Sequence, residues 1–361
     1  MKRISLIIAL LFTGLTFGYD ANYYSDIDRG LFSLPKSTDV AGSDFVFSRD
    51  GTPQVNPANL AFDSLSEISC AYAGFYQNIF STSVLSYATR ITRNSGLGFS
   101  LSYLYNPDIP YNNGFNTENI NGADIPIYDS SRITYHSESQ VFFHVAYGQK
   151  YPVISGIEVA AGIGMNAQRY NLSPYRGYGI GCDAGASLDF VRQGLRMALG
   201  CENITTNYLR WTPGYSEEAL PHAFFGVGWR KEIPYLYGRV QIQFKSLDLL
   251  ANQGINSSVD STVDTTTYSR PSLKHFTKDP LYFLLNGTYG LEYTIMNVLA
   301  LRVGIPVGDS YGTDWSRIAF GCGVNLMKRK LSLDFAYVTH ELAGSYQVGL
   351  TYYWQNDILG R

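Results

Sequence analysis

The chain is poor in charge. Asp, Glu, Lys and Arg make up 16% of its 361 residues, well below the roughly 25% usual in soluble domains. It has five His and four Cys. No CxxC occurs, no His stands at metal-ligand spacing from a Cys, and no GxSxG is present. Those absences leave no metal centre and no nucleophile elbow to build on. No cofactor is implied. The five His (His136, His144, His222, His275 and His340) stand at no recurrent active-site spacing from a Ser or Asp. The expected reading is a non-enzyme, with an outer-membrane hydrolase as the remote alternative. Beyond the N-terminus no apolar run reaches about 18 residues, so no transmembrane helix is expected.

The N-terminus reads as an export signal. Lys2 and Arg3 precede the apolar run 4–12, which is too short to span a bilayer. Thr16-Phe17-Gly18 fits a small-x-small cleavage site. The alternative is a membrane anchor. Removing 1–18 takes away two cations and no acids, so the remaining charge is 25 − 30 = −5. That balance gives no support to a nucleic-acid partner.

What is abundant is aromatic residues and glycine: Tyr 29, Phe 20 and Gly 35. On an exported, charge-poor chain these point to an outer-membrane β-barrel. Aromatics would form interfacial girdles, and glycine would let tilted strands curve. Most Tyr are expected in girdles; Tyr105 and Tyr111 are candidates for an outer vestibule. Period-2 alternation then lays out fourteen strands, at about 66–76, 79–92, 96–106, 138–149, 154–169, 177–190, 194–204, 220–231, 235–246, 281–294, 297–306, 315–327, 329–339 and 343–354. Turns after even-numbered strands are short. Long connections, at about 106–137, 205–219, 247–280 and 306–314, follow odd-numbered ones. Bacterial barrels alternate in this way, with short periplasmic turns and long outer loops. A secreted sandwich or propeller is the competing architecture.

The expected fold is therefore all-β: a 14-stranded antiparallel transmembrane β-barrel in the bacterial outer membrane, with outer-membrane lipid as its surroundings. The expected division is 1–18 signal peptide, 19–65 N-terminal arm, 66–354 barrel and 355–361 periplasmic tail. Fourteen strands enclose more space than wall side chains fill. The arm is the spare segment, and it is expected to enter the lumen as a plug. Cys70, Cys182, Cys201 and Cys322 all fall in expected strands as small apolar residues. Cys182 and Cys201 lie on one hairpin, so a disulfide between them stays open.

The arm ends in Arg49-Asp50-Gly51, then four residues, then Asn56-Pro57-Ala58-Asn59-Leu60-Ala61. This order, before a fourteen-strand pattern, resembles the PorV/PorQ group of outer-membrane proteins, which are similar to FadL long-chain fatty-acid transporters. Gly194 to Asn203 and Gly238 to Lys245 also look like that group's strands. Asn59 stands where the group has glycine, Arg49 replaces an acid, and Val40-Ala41-Gly42-Ser43 barely keeps its glycine-rich helix. The resemblance implies a plug–barrel junction at Asp50, Gly51, Asn56, Pro57 and Ala58, with Asp50 and Asn56 hydrogen-bonding the arm in place. It implies one of two functions. One is passage or binding of hydrophobic small molecules. The other is protein handling in type IX-like secretion, with secreted cargo or secretion-machinery proteins as partners. The ligand-binding residues stay unassigned.

Overall fold

The computed structural model describes residues 29–47, 55–63, 65–112, 116–120, 123–127, 133–205, 207–212, 214, 216–219, 221–250, 280–307, 317–340 and 343–355. The signal peptide, Asp50, Gly51 and nearly all of the 355–361 tail lie outside the described residues.

The wall is a closed antiparallel barrel of fourteen strands. In order these are Ser66–Phe75, Phe80–Thr92, Ser95–Asn112, Ile133–Ile154, Ile157–Leu172 and Tyr175–Phe190. The seventh strand comes in two pieces, Leu195–Glu202 and Asn207–Thr212, and so does the eighth, Ser216–Ala219 and His222–Ile233. Then follow Gly238–Ser246, Gly287–Ile295, Leu299–Val307, Ala319–Leu326, Leu331–Val338 and Ser345–Trp354. The first strand pairs with the fourteenth, from Ser66 opposite Trp354 to Gly74 opposite Tyr346, and this seam closes the cylinder.

Side chains follow the two-residue period of a strand, but with the usual sense inverted. In the fifth strand Ile163 and Met165 are exposed, while Asn166 and Gln168 are buried. In the third, Leu101, Tyr103 and Tyr105 are exposed and Ser100 and Ser102 are buried. An apolar outer face and a polar inner face are the arrangement of a barrel that sits in lipid. The molecule is an outer-membrane β-barrel.

Three boundaries differ from expectation. The third and fourth strands run to 18 and 22 residues. They stay paired as far as Asn112 opposite Ile133, so part of the stretch read as an outer loop is ribbon. The two-stranded hairpin Asn116–Ile120 and Ala123–Ile127 follows it. The expected loop 205–219 is largely strand, because the seventh and eighth strands resume beyond an interruption. The expected start of the tenth strand is a short helix, Pro280–Leu285, where Pro280 suits a first helical position. All four cysteines are free. Cys201 lies opposite Ala184 and not opposite Cys182.

Candidate functional site: the N-terminal segment against the inner wall

Residues 29–47 and 55–63 lie against the inward-facing side of the wall and follow it round. Pro35 meets the fourteenth strand at Gly349, and Asp39 meets the twelfth at Gly321. Val40 then passes Gly304 and Gly290, and Phe45 to Phe47 pass Gly200, Gly226 and Gly228. After the stretch 48–54, Asn56 sits on Gly185, Pro57 on Gly162 and Gly148, and Leu60 on Gly96. The segment thus descends through the strands from the fourteenth to the third.

Glycine permits this approach. A β-carbon at Gly148 would come within 2.6 Å of the Pro57 carbonyl oxygen, and one at Gly226 within 2.6 Å of Val46 Cγ2. At Gly162 it would overlap the backbone between Pro57 and Ala58. The inner wall therefore carries a belt of glycines shaped to backbone passing over it. The sequence signal was glycine two residues apart in the third, fifth, sixth, eighth and twelfth strands. Strand curvature alone does not account for it.

The segment's own structure is short turns, each with a local cause. Asn56 is extended, with φ −158° and ψ 107°, as a residue before proline should be. Its Oδ1 accepts from the Ala58 N–H at 3.1 Å, capping the 3-10 turn Pro57–Phe62. Its Nδ2 donates to the Phe45 carbonyl at 3.3 Å, and Asn59 Nδ2 donates to the same oxygen at 3.0 Å. Asn56 thus joins the parts of the segment on either side of 48–54 through its bonds to Phe45 and Ala58. A hydrogen bond to the wall comes from Asn59, whose Oδ1 accepts from Ser187 Oγ at 3.4 Å. Pro57 and Ala58 are buried against the fourth and fifth strands.

Three charged clusters hold the segment, and the sequence reading found none of them. In the first, Arg29 donates to Asp183 Oδ2 at 2.8 Å and to Asn203 Oδ1 at 2.6 Å. His144 Nε2 lies 2.7 Å from the same Asp183 oxygen. Burial works against the Arg29 charge, but Asp183 and Glu202 raise its pKa above the ordinary value. In the second, Arg302 donates to Asp39 Oδ2 at 3.0 Å, Asp334 Oδ1 at 3.0 Å and Glu292 Oε2 at 2.8 Å. Asp39 is fully buried, and its Oδ1 has no hydrogen-bond partner. Burial pushes its carboxyl up to about 8; Arg302 opposes that, and Asp334 and Glu292 add to it. In the third, Arg196 pairs with Asp189 and donates to the Val46 carbonyl at 3.4 Å. Its guanidinium lies over Phe62 at 3.8 Å and Phe47 at 5.2 Å. A buried ion pair of this kind is costly to break from one side, at about 3–5 kcal/mol.

An apolar cluster and a cavity flank the segment. On the long-loop side Phe32 and Leu34 pack with Ala71, Val84, Leu104 and Phe142, and Phe32 stacks on Phe142 at 5.7 Å between centroids. On the short-turn side lies a cavity of about 670 Å³, lined by Lys36, Phe62, Glu158, Asp189, Arg230 and Arg302 among others. His144 and His222 hold Asp183 and Asp248, respectively. Both pairs tie structural elements together.

These features define a class: a closed, lipid-embedded β-barrel with described parts of its N-terminal segment packed on the inward-facing side of the wall. No protein-family model matches the chain, and no curated protein matches it by sequence. Among solved structures it is similar to the toluene transporter TodX of Pseudomonas putida, with a TM-score of 0.50 at 10% identity, covering 92% of this chain and 99% of that one. It also overlays the toluene transporter TbuX of Ralstonia pickettii (TM-score 0.47, 12% identity, 91% and 98% covered). A Pseudomonas aeruginosa FadL homologue overlays at 0.45 with 11% identity, covering 89% and 98%. At such identities the likeness is one of fold.

Proposed function

We propose that the protein is a plugged barrel of FadL-like type that binds or passes hydrophobic small molecules. The observation that carries this reading is the apolar cluster of Phe32, Leu34, Val84, Leu104 and Phe142 on the long-loop side of the segment. Elsewhere the described inner face is mostly Ser, Thr, Asn, Gln, Gly, Ala and paired charges, apart from Phe224 and Ala198, which pack against Phe45 to Phe47 of the segment. An apolar ligand entering from outside would meet its first matching surface where Phe32 and Leu34 cover the wall. The segment is the plug, and it must shift for that ligand to pass. The fold shared with a protein described as a toluene transporter agrees with this reading.

The test is uptake of labelled long-chain fatty acid or toluene into liposomes carrying the purified barrel. Uptake above that of empty liposomes supports transport; no uptake sinks it. Deleting residues 19–61 should raise single-channel conductance sharply. Unchanged conductance would mean that the segment does not plug the lumen.

A second reading is protein handling in type IX-like secretion, as the PorV/PorQ resemblance implies. The projecting ribbon favours it: strands of 18 and 22 residues far exceed the roughly 9–11 needed to cross a bilayer. Exposed Tyr105, Tyr111 and Tyr135 on that ribbon suit contact with cargo. Loss of cargo attachment on trimming the ribbon, with uptake unchanged, would select this reading.

A further inference from the structure

Around the cavity on the short-turn side, arginines gather along one arc of the wall. Asp189 stands directly opposite Arg196 on the sixth and seventh strands. Arg196 is opposite Gly228, next but one to Arg230. Arg230 is opposite Gln241, next but one to Arg239. Gln241 is opposite Glu292. Three arginines therefore follow one another across the seventh, eighth and ninth strands, with Asp189 and Glu292 at the two ends and the exposed Glu232 opposite Arg239 at the rim. Diagonal neighbours in a sheet lie roughly 7–8 Å apart, within reach of long side chains.

The two outer acids do not fully serve the inner cations. The Arg230 ion pair with Asp189 is long, at 3.8 Å, and Asp189 is already held closely by Arg196. The Arg239 pair with Glu292 is 3.6 Å, while Arg302 donates to Glu292 at 2.8 Å. Arg239 Nε is buried and has no hydrogen-bond partner. Phe47 lies beneath Arg230 at 5.1 Å and fixes that guanidinium plane. Gln241 adds an amide between them, and all of these residues line the same cavity.

We infer that Arg230 and Arg239 form a binding site for an oxyanion, a phosphate or carboxylate group, at the short-turn mouth of the barrel. A guanidinium offers paired N–H donors that match such a group, and Arg230 and Arg239 reach their carboxylates only at 3.8 and 3.6 Å, which leaves donors for it. The site needs no passage of ligand through the lumen, so it stands or falls apart from the transport reading. Two sources carry this chemistry: a free phosphate in the periplasmic space, or the headgroup of an acidic phospholipid in the adjacent leaflet.

The experiment is thermal unfolding of the purified barrel in detergent, titrated with sodium phosphate and, at equal ionic strength, with sodium chloride. The expected result is a saturable rise of the midpoint with phosphate only. In Arg230→Gln/Arg239→Gln the apparent affinity should fall about tenfold or more, since each lost charged hydrogen bond is worth that much. Phosphate also stabilises proteins without a site, so an equal rise in both proteins overturns the inference. Gln241→Glu is the second variant. It sets a carboxylate opposite Arg230 and should abolish the phosphate response without removing a cation. A retained response there also overturns the site. In nanodiscs, phosphatidylcholine should preserve the response. Phosphatidylglycerol should suppress it if the headgroup is the source, and preserve it if free phosphate is. No response in either disc counts against the site.

Discussion

Asn203 has φ +52°, and its backbone N–H donates to Asp183 Oδ1 at 2.9 Å. The other Asp183 oxygen accepts from Arg29. One carboxylate therefore joins two events in the fold: the interruption of the seventh strand and the docking of the segment. Asn tolerates the left-handed region better than most residues, which suits it to the point where the ladder breaks.

The first prediction concerns Asp183→Asn. It leaves Arg29 buried with no nearby full charge except Glu202, whose carboxylate is 3.8 Å from Nε. Removing one partner of a buried pair typically costs about 3–5 kcal/mol. The temperature at which the barrel loses its heat-modifiable gel migration should drop clearly. Arg29→Ala should act in the same direction. An unchanged transition in both would show that the cluster contributes nothing to holding the segment.

The second prediction concerns Gly162→Val. Its side chain would occupy the space of the Pro57–Ala58 backbone, and backbone cannot rotate aside. The segment should fail to seat on the fourth and fifth strands, and single-channel conductance should rise toward that of the 19–61 deletion. Ile163→Val, on the exposed face of the same strand, is the control and should change nothing. Wild-type conductance in the glycine variant would mean that the belt is incidental.

Much of the wall was legible from alternation because lipid on one side and a polar interior on the other enforce a strict period of two. Ile163 and Met165, exposed, against Asn166 and Gln168, buried, keep that period. Alternation fades where both faces meet water, which is why the ribbon near Asn112 and Ile133 read as loop. The interruption that begins at Asn203 rests on one backbone angle and a bond to Asp183, and neither leaves a local pattern. The charged clusters pair residues such as Arg302 and Asp39, 263 positions apart, so only the path of the segment brings them together. Asn59 looked like a departure from a glycine pattern. It is instead the residue that bonds both Phe45 and Ser187.

Arg196→Lys keeps the charge and tests the shape. Arg196 holds Asp189, reaches the Val46 carbonyl, and lies over both Phe47 and Phe62. A lysine ammonium lacks the flat surface and the forked donors. The variant should be less stable by about 1–3 kcal/mol, on the scale of a lost charged hydrogen bond. Chemical denaturation from detergent micelles, followed by tryptophan fluorescence, measures this. Equal stability would reduce Arg196 to a point charge.

The last prediction is a pH dependence at Asp39. Its carboxyl is raised to about 8, first by burial, with Arg302 opposing. The groups facing it are Arg302 and Glu292 on the eleventh and tenth strands and Asp334 on the thirteenth. A raised pKa means that the folded protein binds the proton more tightly than the unfolded chain does. The stability this confers is whole below the unfolded value, about 3.9, and is lost as pH climbs through about 8. Asp39→Asn mimics the protonated form at every pH. Wild type and variant should therefore unfold at similar temperatures near pH 4. The variant should gain on wild type steadily as pH rises toward 8.5, because only wild type must then bury a charge. A difference that stays flat across that range, or that grows in favour of wild type, would show that Arg302 compensates the buried carboxylate fully.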